Sequence, residues 1–415
     1  MRQGVGCLLC EARPGGLDEL RRCLEGWRFV CSTTTAETLA EAGATELLLV
    51  ELRAGAPVPA GAELAARRRA GTVTLALCGE DDGWALSLAV SLACDDVLTV
   101  PLDPVELVRR LQILHDLATL GAERRLRAEL FASYRDAGEP PPFDPLAARA
   151  NVVLLGPPGA GQVGLAAALP PAQVAYVDHP RRLGALLGAA PVDVLLLTDP
   201  ALLGATLDAI ERADREPPVM LAAHAGPPFA LELPPQVDLL SLPAPTPLLR
   251  RRMELALRMA ELRRWLRDPP LGGSRALLLD SLTGLYNQGA FLDYLRQTEG
   301  DRVVIGLEYE ELERTNQRDG YAAGNRILAR LGGSLRRRIR AQDLAAHLGG
   351  GRLAVAVSTA APARIDRLRC RLQATIAGAE PWPILASAEQ RPGQGPPAQR
   401  LARLFGDLGR LRRAA

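Results

Sequence analysis

Two stretches of the chain are built on the same plan, in which five short apolar runs alternate with amphipathic helical segments. The runs of residues 1–120 are VGCLLCEA, RFVCST, ELLLVEL, TVTLALC and DDVLTV. Those of residues 149–268 are ANVVLLG, AQVAYVD, VDVLLLTD, PVMLAAHA and VDLLSLPAP. Continuous apolar runs separated by helices are typical of parallel strands covered on both faces. The pattern therefore predicts two doubly wound α/β domains with five-stranded parallel sheets, joined by a helical and proline-rich linker at residues 121–148.

Composition narrows the classes of protein that fit this plan. Of the 415 residues, 48% are hydrophobic and 23% are charged, and the formal net charge is +1. These values are typical of a folded globular chain, and they provide no overall electrostatic field that would attract nucleic acid. The longest apolar runs are about ten residues, too short to cross a bilayer. We therefore expect a cytoplasmic protein that binds no nucleic acid and inserts into no membrane.

All 49 basic residues are arginine, because the sequence contains no lysine. Arginine stays protonated near neutral pH and presents a planar fork of donors, whereas lysine is a point charge that releases its proton more readily. Any mechanism that needs a lysine is therefore excluded.

Three features of the sequence leave the interpretation open. Cys7 and Cys10 form a CxxC spacing inside the first apolar run, where buried core thiols are favoured over a metal or redox pair. An apolar stripe on the last helix of the second block predicts either packing in the core or a dimer seam. The stripe consists of Leu248, Leu255, Met259, Leu262 and Leu266. Residues 54–70 and 385–400, which are rich in proline, glycine or alanine, are predicted as loops.

Each α/β block resembles the receiver domain of a response regulator, because its fifth strand is followed by proline and an amphipathic helix. A working receiver needs an aspartate after the third strand, further acids that hold Mg²⁺, and a lysine. The phosphoacceptor positions hold Glu51 and Thr198, and the lysine positions hold Val100 and Leu242. The resemblance implies two pseudo-receivers that dock partner proteins. Glu51 is interpreted either as a simple acid at the end of a strand or as a permanent mimic of a phosphorylated aspartate.

Residues 276–415 resemble a GGDEF domain, the family of diguanylate cyclases and their degenerate relatives. DSLTGLYNQGAF, at residues 280–291, matches the first motif of the family, and HLGGGRLAVAV falls where the signature hairpin belongs. The resemblance implies an α+β fold like that of nucleotidyl cyclases. The order of two receivers and a GGDEF domain is that of the PleD and PopA type of architecture, and the degenerate motifs are most similar to PopA-like effectors.

The catalytic motifs of the family are altered in this chain. Diguanylate cyclases hold Mg²⁺ against GTP with carboxylates from the first strand and the signature turn. These positions hold Glu308, Gly351 and Arg352, so the turn has lost its acids and gained a cation. The guanine-recognising positions hold Asn316 and Asn325, the second of which replaces an aspartate that accepts two hydrogen bonds. The resemblance therefore implies that these positions are vestigial, that no metal is held, and that the protein is not an enzyme.

A second site of the family is retained in the sequence. Arg340 and Asp343 form the RxxD motif at which the family binds its product, cyclic di-GMP, and Arg371 matches a further arginine of that pocket. A guanidinium fork can bind the guanine acceptors or a phosphate, and a carboxylate can accept from the guanine N–H groups. The motif is short, so an accidental RxxD at the solvated end of a helix is the alternative.

Together these features predict a catalytically inactive effector that binds cyclic di-GMP, needs no other cofactor, and docks proteins on its pseudo-receivers. The PopA-like resemblance implies a homodimer that works in the cell cycle and is located at a cell pole. Two alternatives remain open: a weak diguanylate cyclase that uses GTP and Mg²⁺, and a scaffold that binds no nucleotide.

Overall fold

The computed structural model of the chain is divided into two compact units, one of residues 1–122 and 143–262 and the other of residues 123–142 and 263–415. The structure describes residues 5–27, 29–79, 82–134, 150–157, 172–190, 192–213, 217–223, 233, 237–242, 244–298, 302–309, 311–357, 366, 368, 385–390 and 395–414. Within these ranges, no helix combines the length and the apolar character that a membrane span requires.

The first half of the first unit is a five-stranded parallel sheet. Its strands are β1 (Gly6–Glu11), β2 (Val30–Thr35), β3 (Leu47–Leu52), β4 (Val73–Gly79) and β5 (Asp96–Val100). They lie in the order β2-β1-β3-β4-β5, and all neighbours are parallel. Cys7 and Cys10 are buried in β1, and burial raises the pKa of Cys10 to about 11, as befits a core thiol.

The second half of the first unit repeats this sheet. Its strands are β6 (Ala150–Leu155), β7 (Ala172–Val177), β8 (Val194–Leu197), β9 (Val219–Ala223) and β10 (Val237–Ser241). They are parallel and lie in the order β10-β9-β8-β6-β7, which is the order of the first sheet read from its other edge. The prediction of two five-stranded parallel sheets is confirmed.

Helices connect the strands of the first unit. They are α1 (Asp18–Gly26), α2 (Gly61–Ala70), α3 (Gly83–Ser91), α4 (Pro104–Ala132), α5 (Pro180–Ala189), α6 (Leu203–Ala213) and α7 (Thr246–Arg267). The prediction of a loop near residues 54–70 is wrong at residues 61–70, which form α2. The alanine, leucine and arginine residues of this segment favour helix. Leu64 of α2 is buried, and Gly71 ends the helix with a φ of +103°.

Arginines of α4 and α7 join the two halves of the first unit. Arg110 of α4 is buried between Asp96, at 3.0 Å, and Asp238 of β10, and burial lowers the pKa of Arg110 to about 10. Arg252 of α7 lies 2.6 Å from Glu106 and donates to the carbonyl of Leu239 at 3.0 Å. Four residues of the apolar stripe of α7 are buried within this single chain and Leu248 is partly buried, as its role in core packing predicts.

The second unit contains a mixed sheet of five strands in the order β11-β13-β14-β12-β15. The strands are β11 (Tyr286–Asn287), β12 (Val303–Tyr309), β13 (Leu344–His347), β14 (Arg352–Val357) and β15 (Leu385–Gln390). Only the β11–β13 pair is parallel among the described neighbours. The prediction of a loop from residue 385 is wrong at residues 385–390, which form β15. The backbone groups of β15 pair with those of β12, which would otherwise lie unpaired on that side.

The helices of the second unit flank this sheet. They are α8 (Arg275–Leu278), α9 (Gln288–Gln297), α10 (Leu312–Asp319), α11 (Tyr321–Arg338) and α12 (Pro397–Ala414). The last turns of α4 also belong to this unit, because Leu130 and Phe131 pack in one core with Phe291 and Leu404. The part of the predicted linker that precedes Tyr134 is therefore helix and core. Residues 135–148 of that linker lie outside the described residues.

Candidate functional site

The hairpin of β13 and β14 closes through the turn Gly349–Gly351. Gly349 and Gly350 have φ values of +92° and +59°, a region that other residues rarely adopt. Gly351 is required for a different reason, since a Cβ on it would lie 2.4 Å from the carbonyl oxygen of Tyr309. The Gly351 carbonyl also accepts a 2.8 Å hydrogen bond from the amide of Tyr309. An acidic side chain at residue 351 therefore does not fit unless the backbone moves.

Glu308, which was predicted to be a vestigial metal position, faces a cation. Glu308 of β12 and Arg352 of β14 are directly opposite each other in the antiparallel ladder, and Nε of Arg352 lies 3.0 Å from Oε1 of Glu308. The guanidinium of Arg352 also lies over the ring of Phe405 at 5.3 Å. Within the described ranges, no three acidic, histidine or cysteine side chains converge as a metal site would require. These residues do not fit a Mg²⁺ site, because the single carboxylate is neutralised by its neighbour.

An open cleft, which we call the turn cleft, lies beside this pair. It is lined by Glu308, Asn316, the glycines of the turn and Arg352. The side-chain oxygen of Asn316 is buried and accepts no hydrogen bond within the described residues. It lies 2.1 Å from the point where a Cβ on Gly324 would stand, so Gly324 is needed for this approach. Asn325 is exposed on α11 and does not line the cleft, so the structure does not bring the two vestigial guanine residues together.

A buried histidine ties the first motif of the domain to the turn. Nδ1 of His347 lies 3.1 Å from Asp280, and its Nε2 lies 2.9 Å from the carbonyl oxygen of Gly350. Asp280 also accepts hydrogen bonds from the amide and the hydroxyl of Thr283. Burial by itself raises the pKa of Asp280, but the hydrogen bonds from Thr283 and His347 outweigh it and hold the pKa below its ordinary value. This hydrogen-bond network of Asp280, Thr283 and His347 fixes the position of the turn.

The RxxD motif forms a tight loop between α11 and β13, which we call the RxxD loop (residues 340–343). The carboxylate of Asp343 accepts from the amide of Arg340 at 3.2 Å, and the amide of Asp343 donates to the carbonyl of Arg340 at 3.0 Å. Asp343 is buried, whereas Arg340 is exposed. The guanidinium of Arg340 has no ion-pair partner among the described acids, so it is open to a ligand.

Arg340 and Asp343 line a cleft, which we call the arginine cleft. Its charged lining comprises Arg127, Arg267, Arg275, Arg336, Arg340, Asp268 and Asp343. Leucine, isoleucine and tyrosine side chains, among them Leu285, Tyr286 and Ile339, form the apolar part. Arg127 is paired with Glu123, and the other four arginines exceed the two acids, so the cleft is cationic. Its mixed lining fits a ligand that carries both anionic groups and flat rings.

Sequence reasoning missed Arg275 and Arg336 as lining residues. Arg275 lies on the short helix α8 and Arg336 lies in the last turn of α11, so neither falls within a motif. The run RRRIR at residues 336–340 was a weak signal for Arg336. Residues four apart at the end of a helix lie on the same side, so Arg336 could be expected to lie near Arg340. The predicted third arginine of the pocket, Arg371, lies outside the described residues.

The two predicted phosphoacceptor positions lie in the first unit, one in each sheet. Glu51 is buried in β3, accepts from the amide of Ala12 at 3.1 Å and lies 3.3 Å from Arg53. Thr198 follows β8, and its hydroxyl donates to the carbonyl of Leu155 at 3.4 Å. Both side chains are engaged in local contacts at the ends of their strands.

Comparisons with known proteins bear on the second unit. Residues 277–389 match the family model described as diguanylate cyclase, GGDEF domain. Diguanylate cyclase DgcP of Pseudomonas aeruginosa is 32% identical over 124 residues, a match that covers 27% of this chain and 18% of DgcP. This chain thus spans less than a fifth of the length of that curated relative.

Solved structures show weaker similarity. The GGDEF domain of DgcB from Caulobacter crescentus, in complex with c-di-GMP, is 18% identical with a TM-score of 0.30, and the match covers 33% of this chain and 89% of that chain. A microbial GGDEF domain whose interaction with cyclic di-GMP has been described is 19% identical with a TM-score of 0.31, covering 34% and 94% of the two chains. From the family match, a GGDEF domain occupies residues 277–389 of this chain.

Proposed function

We propose that this protein is a catalytically inactive effector that binds cyclic di-GMP in the arginine cleft. One observation carries the proposal: the guanidinium of Arg340 is open in a cationic cleft of the GGDEF domain, while the cation at the turn, Arg352, is paired with Glu308. The GGDEF match supplies the chemical class of ligand, and the cleft supplies the groups that would bind it.

The binding chemistry follows from the residues of the cleft. Cyclic di-GMP carries two phosphates and two guanines. Arg340 can bind the O6 and N7 acceptors of a guanine or a phosphate through two parallel hydrogen bonds. Arg275 and Arg336 add positive charge for the phosphates, and the apolar wall that includes Tyr286 can contact the purine rings. Asp343 shapes the loop, and in this proposal its carboxylate also accepts from the guanine N–H groups.

The proposed lack of catalysis rests on the turn. Condensation of two GTP molecules needs Mg²⁺ to neutralise the charge that moves onto the leaving pyrophosphate. Glu308 alone cannot hold that ion while Arg352 lies 3.0 Å away. The close approach of Tyr309 to Gly351 also keeps a side chain out of the position where the family has an acid. Both effects act against the binding of a metal at the turn.

The remaining parts of the proposal concern organisation. The two halves of the first unit would be pseudo-receivers (residues 1–120 and 149–268) that dock partner proteins, ahead of the linker at 121–148 and the domain at 276–415. Arg110 contacts Asp238 and Arg252 contacts Glu106 between the two halves, so partners would dock on other faces. A homodimer, a PopA-like role in the cell cycle, and a cytoplasmic location at a cell pole complete this proposal.

Equilibrium dialysis with labelled cyclic di-GMP tests the binding. The wild type should retain the ligand, and the double variant Arg340→Ala, Asp343→Ala should bind it at least about 100-fold more weakly, because two charge-assisted contacts are lost. Arg338→Ala is a matched control, since this exposed arginine lies two residues away but does not line the cleft. If the wild type and the double variant retain equally little ligand, the nucleotide-free scaffold is correct.

Incubation of the protein with GTP and Mg²⁺ tests the absence of catalysis. We expect no cyclic product above a protein-free blank. Turnover that disappears in Glu308→Ala would show that the protein is a weak cyclase and would overturn this part of the proposal. Turnover that persists in Glu308→Ala would come from a contaminating enzyme, and a repeat with repurified protein should abolish it.

A further inference from the structure

A buried arginine outside every recognised motif holds the RxxD loop in place. The side chain of Arg127, near the end of α4, is 2% exposed. Its Nη2 donates to the carbonyl oxygens of Ala341 at 3.2 Å and Asp343 at 3.0 Å, both in the loop. Its Nη1 donates to the carbonyl of Leu266 in the last turn of α7 at 2.9 Å. The side chain of Arg127 therefore connects α4 and α7 to the RxxD loop.

The charge of Arg127 is balanced by Glu123, one helical turn earlier. Nε of Arg127 lies 2.7 Å from Oε1 of Glu123, whose side chain is 1% exposed. The other oxygen of Glu123 accepts from Tyr294 and Arg302, each at 3.1 Å. Burial by itself lowers the pKa of Arg127, but Glu123 together with Tyr286 and Tyr294 raises the pKa above its ordinary value, so the guanidinium is charged at any working pH.

This geometry is demanding, because a planar fork can satisfy four acceptors only when all of them are correctly placed. The acceptors come from α4, from α7 and from the RxxD loop. A shift of either helix end relative to the loop would leave a buried carbonyl or the buried charge without a partner, which is costly. The loop and the two helix ends are therefore expected to move together.

We propose that Arg127 is a positioning residue for the arginine cleft, which couples the ends of α4 and α7 to the RxxD loop. Helix α4 starts in the first unit, at Pro104, and ends in the second, at Ala132. A signal that displaces α4 would change the affinity of the loop for its ligand, and ligand binding would favour one position of α4 by the same free energy. The inference rests on the proposed function for the identity of the ligand only.

The test compares two arginines of the same network, the buried Arg127 and the half-buried Arg302. Arg127→Met removes the contacts to the loop, and Arg302→Met removes a contact to Glu123 without touching the loop. Two quantities are measured on the full chain: hydrogen exchange at the amides of residues 341–345 without ligand, and the affinity for cyclic di-GMP by dialysis. We expect Arg127→Met to speed exchange at least tenfold and weaken binding at least tenfold, while Arg302→Met changes neither more than twofold.

The readouts separate the inference from the proposed function. If the wild type binds no cyclic di-GMP, the proposed function fails, and the exchange data alone decide whether Arg127 positions the loop. If Arg127→Met exchanges and binds like the wild type, or if Arg302→Met has the same effects, the inference is overturned. Should Arg127→Met fail to fold, Glu123→Gln replaces it, with an expected effect of about threefold, because the neutral amide holds the guanidinium less firmly.

The reciprocal effect is measured on the wild type. Saturating cyclic di-GMP should slow amide exchange in residues 126–132 of α4 as well as in the RxxD loop. Protection that stops at the loop would contradict the coupling, because the two segments would then respond independently.

Discussion

Two arginines on either side of strand β13, Arg340 in the loop before it and Arg352 after the turn that follows it, are in opposite situations. At the turn, Arg352 lies 3.0 Å from Glu308 and stacks on Phe405, so its charge is already satisfied within the fold. At the RxxD loop, Arg340 faces a cleft and has no partner among the described acids. Of these two arginines, only Arg340 lacks an acidic partner within the described residues. The proposed ligand binding therefore rests on Arg340 and not on Arg352.

The packing of the backbone extends the same contrast. The turn is in close contact with β12, since a Cβ on Gly351 would meet the carbonyl of Tyr309 at 2.4 Å. The RxxD loop receives two hydrogen bonds from Arg127, and the side chain of Arg340 in this loop is exposed. An acid introduced at residue 351 would meet the carbonyl of Tyr309.

The largest expected effect on ligand affinity comes from replacing each of the two arginines, Arg340 and Arg352, with alanine. Arg340→Ala should weaken the binding of cyclic di-GMP by about 100-fold, since a bidentate charged contact contributes roughly 3 kcal/mol. Arg352→Ala should leave the affinity unchanged within twofold, because its guanidinium serves Glu308. Isothermal titration of both variants checks this. Equal losses would show that the two positions are not distinct sites.

Crowding at the turn has the next largest effect. Gly351→Ala should lower the free energy of unfolding by about 2 kcal/mol, because the added methyl group overlaps the carbonyl of Tyr309. Gly333→Ala is the matched control, since the nearest atom to its Cβ is the end of Arg337 at 3.5 Å. That change should stabilise α11 by roughly 0.5–1 kcal/mol. Urea unfolding measures both, and a neutral Gly351→Ala would mean that the turn has room for a side chain.

The hydrogen-bond network of Asp280 predicts that the free energy of unfolding depends on pH. Because the pKa of Asp280 is lowered in the folded state, its stabilising contribution is present above about pH 4, the ordinary pKa of aspartate, and is lost as the pH falls through the lowered value. Asp280→Asn should cost about 1 kcal/mol at pH 7, a value that partial exposure to solvent keeps small. The difference from wild type should shrink towards pH 3. Urea titrations across this range check it, and a constant difference would exclude the carboxylate charge as the cause.

The smallest effect concerns the outer arginines of the cleft. Arg275→Ala and Arg336→Ala should each weaken ligand binding by about threefold to tenfold at low salt, and by less at high salt, because solvent screens their charge. Dialysis at two ionic strengths measures this. An effect that does not depend on salt would mean that the two side chains contact the ligand through packing and not through charge.

Local patterns in the chain predicted a large part of the fold. The apolar runs that became β3 and β8 are buried throughout, and this is why short continuous apolar runs between helices were enough to identify them as strands of a parallel sheet. Strand β15 was not predicted, because its residues gain their pairing only from β12, which is far away in the sequence. Helix α2 was missed because proline and glycine precede it.

Residue types and spacing alone determined that the signature turn carries a cation instead of acids, that no lysine can act anywhere in the chain, and that an RxxD pair stands before β13. Only the tertiary structure decided that Arg352 is neutralised by Glu308, that Gly351 has no room for a side chain, and that Arg127 holds the RxxD loop. The spacing of Glu123 and Arg127 predicts an ordinary surface pair on a helix. Burial turned that pair into a support for the cleft, because a charge removed from water must find all its partners inside the fold.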